Sequence, residues 1–304
     1  MEQESDNMVK IAAGIVTYEP EIVRLKDNIK AIYTQVDYII ITDNGSKNIR
    51  KIQEELTQFS NIEWILNEEN KGIATALNQI VEHSQQLGCD WTLTLDDDSI
   101  APDYMIEEYK KYIHLEQVAM LVPVIKDRSM DYIDLESMTQ EPYEEVETAI
   151  TSGTLMNNKV WNEVGGFTDA LFIDYVDFDY CMKLHIAKKR ILRVNQVVLL
   201  HELGNATEIK VFAFLADCMP KGSFIQRKAE QLRFTTNHSP KRLYYVTRNQ
   251  YYYMRTYRDY IDVKRLHRGM KIGWIIKLLF EKQRIQKAKA ILKGRKDGRK
   301  ENWF

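Results

Sequence analysis

The chain has 304 residues, of which 44% are hydrophobic and 28% are charged, with a formal net charge of −2. This composition excludes a disordered chain and predicts a soluble globular protein. The length allows one large α/β domain with an appendage, or two domains. No apolar run approaches the ~20 residues of a membrane-spanning helix, and residues 1–7 are acidic and polar, unlike a secretory signal. The three cysteines, Cys89, Cys181 and Cys218, lack metal-type spacing, so we expect buried thiols in a reducing cytoplasm.

The first half of the chain alternates short apolar runs with helical segments. Residues 10–17, 37–42, 62–66 and 91–95 are apolar runs typical of buried strands. Between the third and fourth runs, the apolar residues of segment 73–87 recur at helical spacing. Strands that alternate with helices predict a mainly parallel sheet with helices on both faces, in which ligands bind at the carboxyl ends of the strands.

The fourth predicted strand ends in three consecutive carboxylates, Asp96, Asp97 and Asp98. Because like charges at the end of a buried strand repel each other, a cation is expected to offset them. Alternate residues of an extended segment point the same way, so Asp96 and Asp98 could face one site while Asp97 turns aside. Such an oxygen pair suits Mg²⁺ or Mn²⁺, which also take ligands from substrate phosphates. The alternative is a triplet that only caps a helix near Pro102.

The second half of the chain carries a second acidic cluster, formed by Asp174, Asp177 and Asp179 at the start of a predicted helix. A helix dipole favours carboxylates at this position, which is the structural alternative to a catalytic role. Before this cluster, residues 126–147 are acidic and irregular and predict a loop or a short hairpin. After it, residues 191–200 predict a strand.

The C-terminal segment differs from the rest of the chain in charge. Residues 264–300 contain fourteen Lys or Arg and two acidic residues, a net charge of about +12. Its apolar residues at helical spacing are Ile272, Ile275, Ile276, Leu279 and Phe280. A basic amphipathic helix with Trp274 nearby suits an anionic membrane surface, and a helix that packs on its own domain explains the pattern equally well. No nucleic-acid-binding motif accompanies the charge, so no nucleic acid partner is expected.

Taken in chain order, these motifs resemble those of the family 2 inverting glycosyltransferases with the GT-A fold. The matching segments are residues 17–18, 42–46, 70–74, 95–99, 152–153, 164–167, 172–177, 201 and 293–298. The resemblance covers nearly the whole chain and is greatest to the rhamnosyltransferase branch, with bacterial galactofuranosyltransferases as relatives. It implies a flexible N-terminus at residues 1–8, a GT-A catalytic domain at residues 9–215 and a basic helical region at residues 216–304.

The resemblance also assigns roles to individual residues. Those implied to bind the nucleotide-sugar donor are Thr17, Tyr18, Asp43, Asn44, Lys71, Gly72, Asp96, Asp97, Ser152 and Gly153. Asp96 and Asp98 would hold Mg²⁺ or Mn²⁺ against the donor diphosphate, and His201 would complete the metal site; a lone His at a strand end is otherwise a hydrogen-bonded surface residue. Further candidates for acceptor or phosphate contacts are Trp161, Asp174, Asp179 and Arg248, although the aromatic residues around Arg248 are equally typical of helix packing.

The resemblance implies that Asp177 is the general base. An inverting transfer is a single displacement, so one carboxylate must take the proton of the attacking acceptor hydroxyl. Many relatives have Glu-Asp where this chain has Val176 and Asp177, so a share of the role for Asp174 or Asp179 stays open.

The function implied is metal-dependent transfer of rhamnose from dTDP-rhamnose to a polysaccharide or lipid-linked glycan. The alternatives are a galactofuranosyl, galactosyl or glucosyl transferase that uses a UDP-sugar, and a non-catalytic glycan-binding or scaffold protein of the same fold. A nucleotidyltransferase is disfavoured because no glycine-rich phosphate loop follows the first strand. The expected location is the cytoplasm, with peripheral contact to the inner face of the bacterial membrane through residues 264–300.

Overall fold

The structure is a computed structural model that describes residues 9–127, 141–201 and 207–300, with the side chains of residues 127 and 201 outside the description. The chain divides into two compact units. The first comprises Met1–Phe172 and Val176–Glu202, and the second comprises Ile173–Tyr175 and Leu203–Phe304. The predicted boundary at residue 215 falls inside a helix, α7, at Lys210–Cys218. The predicted flexible stretch at residues 1–8 lies outside the described residues.

The first unit is built on a sheet. Its described strands are β1 (Ile11–Thr17), β2 (Tyr38–Asp43), β3 (Ile62–Leu66), β4 (Trp91–Asp96), β5 (Val118–Asp127), β6 (Tyr143–Glu145), β7 (Thr154–Asn157) and β8 (Arg190–His201). They are ordered β3-β2-β1-β4-β7-β5-β8-β6. Strands β1 to β4 pair in parallel, as do β5 and β8, while β7 and β6 run antiparallel to their neighbours. The predicted mainly parallel sheet is confirmed.

Helices flank this sheet. The described helices of the first unit are α1 (Ile22–Ile32), α2 (Ile49–Glu55), α3 (Ile73–Gln86), α4 (Met105–Lys110), α5 (Asn158–Val164) and α6 (Val176–Ile186), and a 3-10 turn lies at Asp169–Leu171. Strand β1 is buried almost throughout, as expected of a parallel strand covered on both faces. A Cβ atom at Gly14 of β1 would overlap the side chain of Ile80, so the glycine lets α3 lie directly on the sheet.

The prediction of a loop or short hairpin at residues 126–147 is only partly right, because β6 adds an edge strand to the sheet there. Its sequence is Tyr-Glu-Glu, which shows no apolar alternation. Glu144 and Glu145 form ion pairs with Arg193 and Arg190 of β8. Opposite charges across the two strands therefore stabilise this pairing, and hydrophobic periodicity cannot reveal it.

The second unit is largely helical. Its described elements are β9 (Thr207–Glu208), α7 (Lys210–Cys218), α8 (Phe224–Leu232), β10 (Phe234–Thr235), α9 (Pro240–Thr256), α10 (Val263–Phe280) and α11 (Arg284–Gly298). Cys89 and Cys181 are buried as predicted, but Cys218 at the end of α7 is exposed. Among the residues that the structure describes, no helix is both long enough and apolar enough to cross a bilayer.

The basic C-terminal segment forms two helices rather than the single one predicted. Helix α11 packs along α9, because a Cβ atom at Gly294 would lie 2.7 Å from the carbonyl oxygen of Tyr244 and one at Gly298 would lie 2.7 Å from that of Arg248. This helix therefore follows the structural alternative of packing on its own unit. Helix α10 instead leaves most of its predicted apolar residues exposed, namely Ile272, Ile275, Leu279 and Phe280.

Candidate active site

Two polar runs of the first half, residues 43–46 at the end of β2 and residues 96–98 at the end of β4, lie at the carboxyl edge of the sheet. Strand β1 lies between β2 and β4, with Thr17 opposite Asp43 and Val16 opposite Asp96. Since neighbouring strands lie about 4.8 Å apart, Asp43 and Asp96 lie roughly 10 Å apart across β1. This edge is where open α/β sheets bind their ligands.

Buried polar side chains fix the acidic turn that follows β4. The backbone N–H of Asp96 donates to Ser152 Oγ at 3.1 Å, and Asn28 Nδ2 donates to the carbonyl of Asp96 at 2.5 Å. The hydroxyls of Ser152 and Ser99 lie 2.8 Å apart. Ser152 thus stabilises the turn through Asp96 and Ser99, and Asn28 of α1 stabilises the end of β4.

The carboxylates of this turn destabilise one another. Burial, and then the charges of Asp98 and Asp96, raise the pKa of Asp97 to about 6. A divalent cation would relieve this repulsion, so the donor set fits the Mg²⁺ or Mn²⁺ that the resemblance implies. Within the described residues no group of three or more His, Cys, Asp or Glu side chains forms a complete metal site.

The end of β8 joins the acidic turn through the backbone. The N–H of Ile100, two residues after Asp98, donates to the carbonyl of Leu200 at 3.1 Å. Leu200 directly precedes His201, the last residue of β8. The structure therefore brings the backbone of His201 to the same edge as the acidic turn, while its imidazole lies outside the described residues.

The loop after β2 is folded around Asp43. This buried carboxylate accepts hydrogen bonds from Thr17 Oγ1 at 2.9 Å and from the backbone N–H groups of Gly45 and Ser46 at 3.0 and 2.7 Å. The φ of Gly45 is +88°, a left-handed conformation that favours glycine. The run Asp43-Asn44-Gly45-Ser46 is thus a preformed loop beside the acidic turn.

Asn67, which the sequence prediction missed, ties this loop to α3. Its Nδ2 donates to Asn44 Oδ1 at 3.0 Å, and it exchanges hydrogen bonds with Gln79 at 2.9 and 3.0 Å. Asn44 Nδ2 in turn donates to the carbonyl of Gly72 at 3.3 Å. The sequence shows only that Asn67 directly follows the third predicted strand, residues 62–66, at the strand end where ligands are expected.

Gly72 lies where α3 approaches the segment before the second acidic cluster. Its φ is +89°, and a Cβ atom there would lie 2.6 Å from both the ring and the carbonyl oxygen of Phe172. The N–H of Ile73 donates to that same carbonyl at 2.6 Å. Only glycine fits this close approach.

Gly72→Ala is therefore expected to destabilise the fold by about 3 kcal/mol, from left-handed backbone strain plus overlap with Phe172. Gly88→Ala is the matched control, because Gly88 has a φ of +75° and no atom within 4 Å of the added Cβ. It should cost only the strain, about 1 kcal/mol. Urea unfolding of both variants measures the difference, and equal costs would mean that Phe172 yields to the methyl group.

The second acidic cluster separates into residues with different environments. Asp179 is fully buried, accepts a hydrogen bond from Thr168 Oγ1 at 2.7 Å and pairs with Lys183 at 3.2 Å. Asp177 is half-buried in the first turn of α6, where its Oδ1 accepts from the N–H of Phe178 at 2.9 Å. The geometry favours Asp177 over Asp179 for exchange of a proton with a ligand.

Asp174 belongs to the second unit. Arg242 Nη2 lies 2.9 Å from its carboxylate and Arg242 Nε lies 3.1 Å away. Asn249 Nδ2 donates to the carbonyls of Ile173 and Asp174, each at 2.8 Å. The φ values of Asp174 and Tyr175 are +63° and +68°, so α9 holds a strained segment just before α6.

The other predicted site residues vary in accessibility. Tyr18 and Lys71 are exposed, whereas Gly153 is buried and its carbonyl accepts from Tyr109 Oη at 2.7 Å. Trp161 is buried against Gly166, whose added Cβ would lie 2.5 Å from the indole. These placements leave Tyr18 and Lys71 open to a ligand.

Arg248, in the second unit, stacks on an aromatic ring. Its guanidinium carbon lies 4.8 Å from the ring centre of Tyr245, and Nε donates to Asn249 Oδ1 at 3.0 Å. Burial lowers the pKa of Arg248 from its ordinary value. These contacts fit the alternative of helix packing noted for this aromatic cluster.

Comparisons with known proteins agree with this architecture. Residues 14–193 match the family described as Glycosyl transferase family 2. The dTDP-rhamnosyl transferase RfbF of Shigella flexneri is 27% identical over 259 residues, covering 81% of this chain and 80% of RfbF. Residues 1–349 of S. aureus TarS in complex with UDP-GlcNAc superpose with a TM-score of 0.59 at 13% identity, covering 95% of this chain and 80% of that chain.

A further solved structure, GalNAc-T7 with UDP, GalNAc and Mn²⁺, has a TM-score of 0.55 at 12% identity and covers 70% of this chain. The present chain spans about half of that structure's length, 48%. The likeness to the two solved structures shows the fold, which is the predicted GT-A fold. The family match extends over more than half of the sequence, and the chain belongs to glycosyltransferase family 2.

Proposed function

We propose that the protein transfers rhamnose from dTDP-rhamnose to a polysaccharide or lipid-linked glycan acceptor, in an inverting reaction that depends on Mg²⁺ or Mn²⁺. The observation that carries the proposal is the acidic turn at residues 96–98, one strand away from the preformed loop of Asp43 on the same sheet edge. The similarity to RfbF, a dTDP-rhamnosyl transferase, supports the choice of donor.

The proposed division of roles follows the sheet edge. The loop at Asp43 and Asn44, with Tyr18 and Lys71, would bind the nucleoside. This loop follows β2 on one side of β1, and the acidic turn follows β4 on the other side, each about one strand spacing from β1. Asp96 and Asp98, with His201, would hold the metal. When bound, the metal offsets the negative charge that develops on the leaving diphosphate.

Asp177 would act as the general base. As the acceptor oxygen forms its bond to the anomeric carbon, the bond from that carbon to the diphosphate oxygen breaks, and the Asp177 carboxylate takes the hydroxyl proton. No covalent sugar intermediate is needed, because a single displacement inverts the anomeric configuration. The half-buried position of Asp177 supports this role, whereas the carboxylate of Asp179 is already paired with Lys183.

Donor turnover tests the proposal. Purified protein with Mg²⁺ or Mn²⁺ is expected to release dTDP from dTDP-rhamnose as the rhamnosyl group passes to an added glycan acceptor or to water. Release of UDP from UDP-galactofuranose, UDP-galactose or UDP-glucose, with dTDP-rhamnose inert, would assign the alternative donors. Glycan binding that is indifferent to metal, with no release from any donor, would assign the scaffold alternative.

We further place the protein in the cytoplasm, at the inner face of the membrane. The net charge of about +12 on residues 264–300 supports contact between this segment and anionic lipid. The exposed apolar residues of α10, Ile272, Ile275 and Leu279, lie within the same segment.

A further inference from the structure

Residues 207–235 of the second unit form a closed helical hairpin, hereafter the α7–α8 hairpin. Its two ends pair as the antiparallel strands β9 and β10, and the N–H of Ile209 donates to the carbonyl of Arg233 at 2.7 Å. The Arg233 side chain also contacts Glu208 at 2.8 Å and Asp217 at 3.3 Å. The base of the hairpin is therefore fixed by backbone and side-chain contacts.

The hairpin is apolar on its outside. The buried residues of α7 and α8 are alanines, namely Ala213, Ala216 and Ala229. The exposed fractions of Phe214, Phe224 and Ile225 are 66%, 69% and 55%. A helix on the water-exposed surface of a protein usually buries its large apolar side chains and exposes small or polar ones. In α7 and α8 the alanines are buried and the large apolar side chains are exposed, which indicates a surface that a lipid membrane or a partner covers.

The exposed apolar residues are arranged as a patch. In α7, Val211, Phe214 and Cys218 recur at positions i, i+3 and i+7 and are all exposed, so they lie along one side of the helix. Phe224 and Ile225 begin α8, and Phe224 lies three residues after the exposed turn residue Lys221. The patch thus includes one side of α7 and the tip of the hairpin.

The patch continues toward α10. The rings of Phe212 in α7 and Phe280 in α10 are in edge-to-face contact, with their centroids 5.7 Å apart. Near that contact, α10 exposes Ile275 and Leu279 at helical spacing. The α7–α8 hairpin therefore adjoins the apolar face of the basic segment.

Charge identifies the occupant of this patch. The hairpin itself, residues 207–235, carries five Lys or Arg against three Asp or Glu, and it adjoins residues 264–300, whose net charge is about +12. A second copy of the chain would bring an equal positive charge to the interface, and like charges there oppose association. A nucleic acid would neutralise the charge but would leave the exposed aliphatic side chains without apolar partners. An anionic lipid bilayer provides both the negative charge and the apolar phase.

We propose that the α7–α8 hairpin docks on an anionic lipid bilayer, with Phe214, Phe224 and Ile225 inserted among the acyl chains and Lys221 and Lys228 against the lipid phosphates. This element lies outside residues 264–300, and the inference does not depend on the donor or on catalysis. The exposed lysines flanking the apolar tip allow the charges to remain in the headgroup region while the rings enter the membrane.

Vesicle binding by the full-length protein tests the proposal. Vesicles of phosphatidylcholine with phosphatidylglycerol should bind the protein, and vesicles of phosphatidylcholine alone should bind it much more weakly. Phe224→Ser should weaken the partition coefficient at least about tenfold, since the side chain returns from lipid to water. Val23→Ser is the matched control, because Val23 of α1 is 67% exposed, like Phe224, but lies in the first unit.

Unchanged partition of Phe224→Ser, or equal loss for Val23→Ser, would overturn the proposal. So would equal binding to neutral and anionic vesicles. A concentration-dependent dimer that Phe224→Ser disperses, with no vesicle binding, would assign the patch to a second copy instead. Both substituted side chains are exposed, so the two variants should unfold at the same temperature as the wild type. Equal unfolding temperatures confirm that a difference in vesicle binding arises at the surface and not from loss of the fold. In the expected case, brominated acyl chains quench Phe224→Trp more than the wild-type protein.

Discussion

Asp177→Asn is expected to lower the rate of sugar transfer by about 10²- to 10⁴-fold, the usual contribution of a general base. The amide keeps the shape of the side chain but cannot take the proton of the acceptor hydroxyl. Because Asp177 is not among the residues proposed to bind the nucleoside or the metal, donor affinity should stay near that of the wild type. Single-turnover transfer and calorimetric binding of dTDP measure the two quantities separately.

Asp179→Asn is the control that distinguishes chemistry from structure in this cluster. The Asp179 carboxylate is buried with Thr168 and Lys183, so the variant should lose about 2 kcal/mol of stability from weakened charged hydrogen bonds. Asp177→Asn, at a half-buried site, should unfold at nearly the wild-type temperature. Wild-type transfer by Asp177→Asn would place the base elsewhere, and a large loss in both variants without unfolding would mean that the two carboxylates share the role.

The sequence predicted the elements whose stability comes from local apolar pattern. Strands β1 to β4 and helix α3 lie within one residue of their predicted bounds, because the strands are rich in apolar residues and the helix presents an apolar stripe to the core. The acidic turn was also predicted from a local signal, because three consecutive carboxylates directly follow a predicted buried strand. Asn28 and Asn67 were missed because their contacts, to Asp96 and Asn44, join positions far apart in the chain.

The surface of the second unit could not be predicted for a different reason. Periodicity identifies which residues of a helix share a face, but it does not say whether that face points inward or outward. In α10, Ile272, Ile275 and Leu279 form the expected stripe and the structure exposes them. In the α7–α8 hairpin, the burial of alanines such as Ala213 follows from close packing of two helices, which no single-helix pattern encodes.

Asp98→Asn is expected to abolish the metal dependence of donor binding and to reduce transfer by about 10³-fold, equivalent to several kcal/mol of lost charge stabilisation. The matched control is Asp97→Asn, which removes one carboxylate from the same turn. If Asp96 and Asp98, and not Asp97, face the metal, Asp97→Asn should keep most of the activity and should still bind dTDP more tightly when Mn²⁺ is added.

The comparison of these two variants separates a metal ligand from general negative charge. Both remove a single charge within the same acidic turn, so a general electrostatic effect on the donor would be similar in both. A loss of activity confined to Asp98→Asn requires directional coordination of the metal by Asp98. Calorimetry then shows that Mn²⁺ increases the dTDP affinity of Asp97→Asn but not that of Asp98→Asn. Equal losses would mean that the turn acts through its summed charge, and no loss in either would remove the acidic turn from the donor site altogether. His201→Ala extends the test, because a third ligand at the end of β8 should also be needed for the Mn²⁺-dependent gain.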